Sequence, residues 1–225
     1  MKLKKIIATA LCGVMCVCGA SCGTPQIEGD TLINQAREDY AALDSAQVIM
    51  TNTDTGEVEQ TFTFKYDEKD VLVFSYYGKS ENSEYAQYNN GVESFTYDNG
   101  NLTHEIKGDG NFQKYTREAV HPQAGEGLLY FEPTAVTAAK VTEEDGVTCV
   151  QYAYDVEKIS AQGEEGEVTG FSTEYYFDEN HKLLYFTEIM IEKVDEEQKR
   201  HSIKVEITNR NAVDKVENTT KQFEE

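Results

Sequence analysis

The chain is poor in positive charge, with 20 Lys and Arg against 41 Asp and Glu, and it has only three prolines and no tryptophan. Nucleic acid is excluded as a partner, because phosphate contacts need a basic surface and no basic patch or recognition motif is present. Acidity of this kind otherwise favours solubility and self-repulsion. Usable cysteine is scarce too: Cys12, Cys16, Cys18 and Cys22 crowd the N-terminus, which leaves Cys149 alone in the rest of the chain. A disulfide within that part is impossible, so its fold must be held by core burial, with Cys149 expected as a buried, inert thiol in a strand. There is no Gly-x-Ser-x-Gly elbow, no phosphate-cradling glycine loop and no histidine pair at the spacing of a helical metal site. No repeat of fixed period occurs, and no apolar run after the first is long enough to cross a bilayer.

The N-terminus carries the clearest signal. Lys2, Lys4 and Lys5 precede an apolar run over residues 6–17, followed by Gly19, Ala20 and Ser21 directly before Cys22. A charged start, an apolar stretch too short to remain as a membrane span and small residues at its end read as a signal peptide over 1–21. The end of this segment resembles the bacterial lipobox, which implies that Cys22 receives a diacylglycerol and becomes the new N-terminus. An ordinary secretory signal or an uncleaved anchor is the alternative. Removing residues 1–21 takes away three lysines and no acid, so the formal net charge of −21 becomes −24. An anionic membrane surface repels such a domain, so attachment is expected through the lipid and a tether over 22–29.

One domain is expected over 30–210. Asp30 reads as a helix N-cap, and Leu32, Ile33, Ala36, Tyr40, Leu43 and Gln47 fall near the spacing of one helical face, with the C-terminal end of the helix left open. From residue 46 the period changes to two. In 57–66, Val58, Gln60, Phe62, Phe64 and Tyr66 alternate with polar residues, which predicts a strand with one buried face. Further strands are expected over 46–51, 71–77, 85–89, 92–97 and 102–106, joined by turns at Asp54-Thr55-Gly56, Asn90-Gly91 and Asp98-Asn99-Gly100. Residues 108–133 break the rhythm and read as a crossing or lid segment, with room for a short helix over 112–119 or near Leu128. Strands resume over 135–142, 147–155, 171–177, 183–194 and 201–209, with a mobile loop over 162–170. A polar tail over 211–225 is expected to fray.

One helix followed by about ten strands predicts a mainly β, α+β fold. A sheet that long curls, and a single amphipathic helix fills its hollow. This layout, together with Gln87-Tyr88-Asn89-Asn90-Gly91 before Phe95-Thr96-Tyr97, and Glu174-Tyr175-Tyr176-Phe177-Asp178 before Leu183-Leu184, resembles the LolA/LppX-like lipoprotein-carrier superfamily. The resemblance implies a half-open β-barrel around a helix, an apolar cavity and a non-catalytic carrier role.

Little chemistry competes with that reading. Asp54-Thr55-Gly56 spells the core of an aspartic-protease signature, but that chemistry needs two such aspartates, and the triplet occurs once. His104, His121, His181 and His201 are scattered. Asp98-Asn99-Gly100-Asn101 and Asp109-Gly110-Asn111 lack the remaining ligands of a calcium loop. No catalytic residue, metal or cofactor is expected. What stands out is aromatic content, 14 Tyr and 10 Phe. Most serve as core. The sharper expectation is that Phe62, Phe64, Tyr66, Phe74, Tyr76, Phe95, Tyr97 and Phe186 line a space between helix and sheet for a lipid or other amphiphile. The alternative is an envelope protein–protein interaction module with a filled core. Either way the expected place of work is outside the cytoplasmic membrane, anchored through Cys22.

Overall fold

The computed structural model describes residues 27–80, 83–117, 128–129, 131–159 and 166–224. The segment 1–21 expected to be a signal peptide, Cys22 and His121 lie outside them, as do residues 160–165. Helix α1 spans Asp30–Ala41, and eleven strands follow: β1 Ser45–Asn52, β2 Val58–Tyr66, β3 Leu72–Ser80, β4 Ser83–Asn89, β5 Glu93–Asp98, β6 Asn101–Ile106, β7 Val136–Glu144, β8 Val147–Tyr154, β9 Glu167–Phe177, β10 Leu183–Val194 and β11 Glu197–Thr208. All pair antiparallel in one curved, unclosed sheet of order β6-β5-β4-β3-β2-β1-β11-β10-β9-β8-β7. This sheet with the one α-helix among the described residues is the architecture that the resemblance implied.

Two meanders, β1–β6 and β7–β11, are joined where the first strand pairs with the last, from Gln47 opposite Thr208 to Asn52 opposite Ile203. Turn chemistry sets the rest. Asn99 and Gly100 both take positive φ, and so do Asp145 and Gly146, which gives tight hairpins whose twist matches that of the strands. At Gly91, φ is +79° and an added Cβ would lie 2.4 Å from Val71, so only glycine closes the β4–β5 turn. The Asp54-Thr55-Gly56 triplet is a hairpin loop whose Asp54 and Thr55 amides donate to the Asn52 side chain.

The helix lies across the inner face. Ile33, Ala36 and Tyr40 are buried, and Leu43 just beyond the helix completes the stripe. The helix N-terminal end meets β8, where Tyr152 donates to the Glu28 carbonyl at 3.0 Å, and its other end meets β2, where Tyr40 packs edge-on against Phe64. Strands β8 and β2 are five spacings apart in the sheet order, roughly 24 Å if flat, whereas 12 helical residues reach about 18 Å. The sheet therefore wraps the helix.

Several expectations are corrected. Asp30 is the first helical residue rather than the N-cap; Gly29 takes that place in a left-handed conformation, because a Cβ there would stand 2.6 Å from Val150. Residues 112–117 are not helical; Thr116 bridges to Val71, and Arg117 ties the crossing segment down by ion pairs to Asp44 and Asp70. Strand β9 begins at Glu167, inside the expected loop, since Val168 and Gly170 pair with β10 across a bulge. Strand β11 begins at Glu197, because Val194 and Glu197 close a two-residue turn. Cys149 is half-buried, and burial pushes its thiol pKa up.

The tail does not fray. Residues 211–224 strap the outer face: Asn211 accepts from the Asp44 amide, Val213 and Val216 are buried, Thr219 bonds Ser75, and Phe223 stacks on Tyr97 with ring centroids 3.6 Å apart. The apolar valines at a three-residue spacing find the exposed side of β1–β4, and Ala86 is completely buried. Deleting 211–225 removes two buried valines and several hydrogen bonds, for an expected loss of about 3–5 kcal/mol. Urea unfolding of the truncated and full domains checks this, and a loss under about 1 kcal/mol contradicts the strap's role.

Candidate functional site

Cross-strand register sorts every inward side chain into rows. One row runs Val141, Val150, Tyr175, Phe186, Val205, Met50 and Gln60; the next runs Ala139, Tyr152, Thr173, Glu188, Ile203 and Asn52. The N-terminal end of helix α1 meets this first row at Val141 and Val150, its other end lies by Phe64, Leu183 and Ile207, and beneath it the interior is solid. Val150, Tyr175, Phe186 and Val205 are essentially inaccessible. The space bounded by Ala36, Tyr40, Leu43, Leu183, Ile207 and Arg210 is about 10 Å³, near the size of one water. The crossing segment adds its own filling: Leu129 is fully buried, and Phe131 stacks on Tyr152 at 5.1 Å. A recess of about 450 Å³ exists, but it lies at the β10–β11 hairpin tip among Val194, Asp195, Glu196, Glu197 and Lys199, away from the helix.

The aromatic residues expected to line a cavity divide between the two faces. Phe62, Phe64, Tyr66, Phe74, Tyr76 and Phe186 point inward; Phe64, Phe74 and Phe186 are wholly buried, and Phe62 is half-buried. Phe62 stacks on Phe64 at 5.6 Å and tilts against Phe74 at 5.9 Å, so these rings form one packed cluster. Phe95 and Tyr97 point outward. Phe95 opposes Tyr88, which opposes Ser75, and Ser75 alternates with the inward Phe74 and Tyr76. Phe95 stacks flat on His104 at 4.1 Å, while Tyr97 lies under Phe223. The three-residue turn after Asn89 fixes this register, so neither ring can share a space with the other six.

What the helix leaves less covered is a strip running across five strands. Phe62 on β2, Met50 on β1, Ile203 on β11, Met190 on β10 and Phe171 on β9 all face inward and are half-buried. Glu188 lies in the middle of this strip, directly opposite Ile203 on one side and the fully buried Thr173 on the other. Part of its surface still meets solvent, yet protein encloses the carboxyl closely enough that burial alone pushes its pKa up to about 7. Among the described residues no hydrogen bond or ion pair reaches it. Its charge bears on Tyr175, whose own pKa is raised chiefly by burial. At the rim, Glu59 accepts from Asn52 at 2.7 Å and lies 3.6 Å from His201. His104 sits on the outer face beside Glu93, and His181 in an exposed turn, so these three histidines are apart.

Residue-type searching missed Glu188, Met50, Met190, Leu129 and Phe131. For Glu188 a signal existed: counting by two from the inward Phe186 lands on it, a carboxylate where the pattern asks for an apolar residue.

No family model matches the chain, and no curated protein matches it. Among solved structures it is similar to LprF from Mycobacterium bovis, at 13% identity over 87% of this chain and 99% of that one, with a TM-score of 0.47. A likeness of that degree concerns the shape of the chain and says nothing of ligand or partner.

A raised carboxyl pKa has a definite sign in stability. The folded state keeps the Glu188 proton up to about pH 7, while the unfolded chain loses it near pH 4.5, so this residue destabilises progressively between those values and fully above them. Glu188→Gln is expected to stabilise the domain by about 2 kcal/mol at pH 8, allowing for the part water still screens, and by almost nothing at pH 4. Paired unfolding curves of both forms at the two pH values check this; equal stability at pH 8 contradicts it.

Proposed function

We propose that the protein is a non-catalytic envelope lipoprotein, held outside the cytoplasmic membrane through Cys22, that binds a hydrophobic or amphiphilic ligand on the inner face of its curved sheet. The observation that carries this reading is the half-buried strip of Phe62, Met50, Ile203, Met190 and Phe171, an apolar surface whose Phe62, Met50, Ile203 and Phe171 pack against the core, with Met190 directly opposite Phe171. An apolar strip with an enclosed carboxyl at its middle, bearing methionines and aromatics, suits an acyl chain or a similar apolar body. The expected site moves accordingly, from beneath the helix, where side chains fill the space, to the strip beside it. Ile27 packs against the core, and the chain from Cys22 to Ile27 reaches at most about 18 Å, so an anchor at Cys22 holds the N-terminal end of α1 close to the membrane.

The filled interior under α1 favours a second reading, an interaction module that binds another envelope protein without a small-molecule ligand. Native mass spectrometry of the domain from Gly23 onward, purified without detergent, separates the two. The first reading expects added mass that is released as lipid on denaturation, or uptake of lipid from an envelope extract. A bare polypeptide mass that stays unchanged after incubation with the extract contradicts it.

A further inference from the structure

Glu188 is out of place for a core position. An enclosed carboxylate is kept in proteins when a cation or a set of donors compensates it, and no described residue supplies either here. Its neighbours along the strip are apolar: Ile203 opposite, Phe186 and Met190 two residues away on the same strand. Thr173, its other cross-strand neighbour, carries a hydroxyl that lies 3.3 Å from that of Tyr154. A carboxylate flanked by Ile203, Phe186 and Met190, with a hydroxyl pair next to it, is complementary to a group that donates hydrogen bonds and carries positive or no charge. The net charge of −21, or −24 after loss of residues 1–21, acts in the same direction, since it attracts cationic solutes and repels anionic ones.

We propose that Glu188 is the polar recognition point of the inner-face strip and that the ligand is an amphiphile with an amine head group, its apolar part lying on Met50, Ile203, Met190 and Phe171. This inference rests on the reading that the strip binds an apolar ligand, and it adds the head-group chemistry and the residue that selects it. An anionic amphiphile of equal chain length is disfavoured, because its head would stand against an uncompensated carboxylate in a low-dielectric site.

The test measures calorimetric binding of decylammonium, 1-decanol and decyl sulfate, each below its aggregation concentration, to the wild-type domain, to Glu188→Gln and to Glu206→Gln. Glu206 lies on the outer face beside Lys204 and controls for general charge. The inference expects decylammonium to bind the wild type at least tenfold more tightly than decyl sulfate. It further expects Glu188→Gln to weaken decylammonium about tenfold while decanol binding is retained, which also shows that the variant is folded, and Glu206→Gln to change neither. Binding of decanol with no amine preference, or equal losses in both variants, overturns the role of Glu188 and leaves the strip standing as a site. Failure of all three probes to bind the wild type overturns the strip and this inference together.

Discussion

The pairing of β1 with β11 is the joint on which the molecule depends. Each meander is built from local hairpins, but neither has a continuous inner face until Met50 and Asn52 lie beside Val205 and Ile203. The residues brought together here are more than 150 positions apart in the chain, so the joint carries most of the loop-closure cost of the fold and forces it to assemble as one unit. Helix α1 then seals the joint from inside, and the C-terminal strap braces it from outside through Asn211 and Val213. The candidate strip crosses this same joint, which is why it exists only in the completed sheet.

The inner face is divided. Beneath α1 and the crossing segment, aromatic and branched side chains fill the hollow to the point where a single water nearly exhausts it. Alongside, the same apolar surface continues with thinner cover and with a carboxyl set into it. A domain that needed only stability would place an apolar residue at 188, since removing an unpartnered enclosed charge costs nothing in lost contacts and removes a desolvation penalty. Its presence beside a half-covered apolar surface is the feature that packing alone does not account for.

Much of the architecture was legible in the sequence. The period-two runs located the strands, the Asn-Gly and Asp-Gly turns located the hairpins, and Ile33, Ala36 and Tyr40 announced the helical face. Facing was harder. Phe95 and Tyr97 read as interior because aromatics favour sheets, whereas the length of one turn put them outside. The strap reads as a polar tail because its valines are spaced among acids and lysines, and only the bare outer face of β1–β4 gives them somewhere to go. Leu129 and Phe131 lay in a stretch with no period at all, so nothing local marked them as core. The order of strands around the joint is a long-range property that no window of sequence carries.

Apart from Met1 and Met15, which precede Gly23, Met50 and Met190 are the methionines of the chain, and both lie on the strip. Methyl-labelled methionine NMR of the domain from Gly23 onward therefore reports on the candidate site with two signals and little else. Titration with decanol is predicted to shift both methyl resonances along saturable curves that share one dissociation constant. Resonances that stay fixed while decanol binds elsewhere on the domain would contradict the assignment of the inner-face strip as the ligand site.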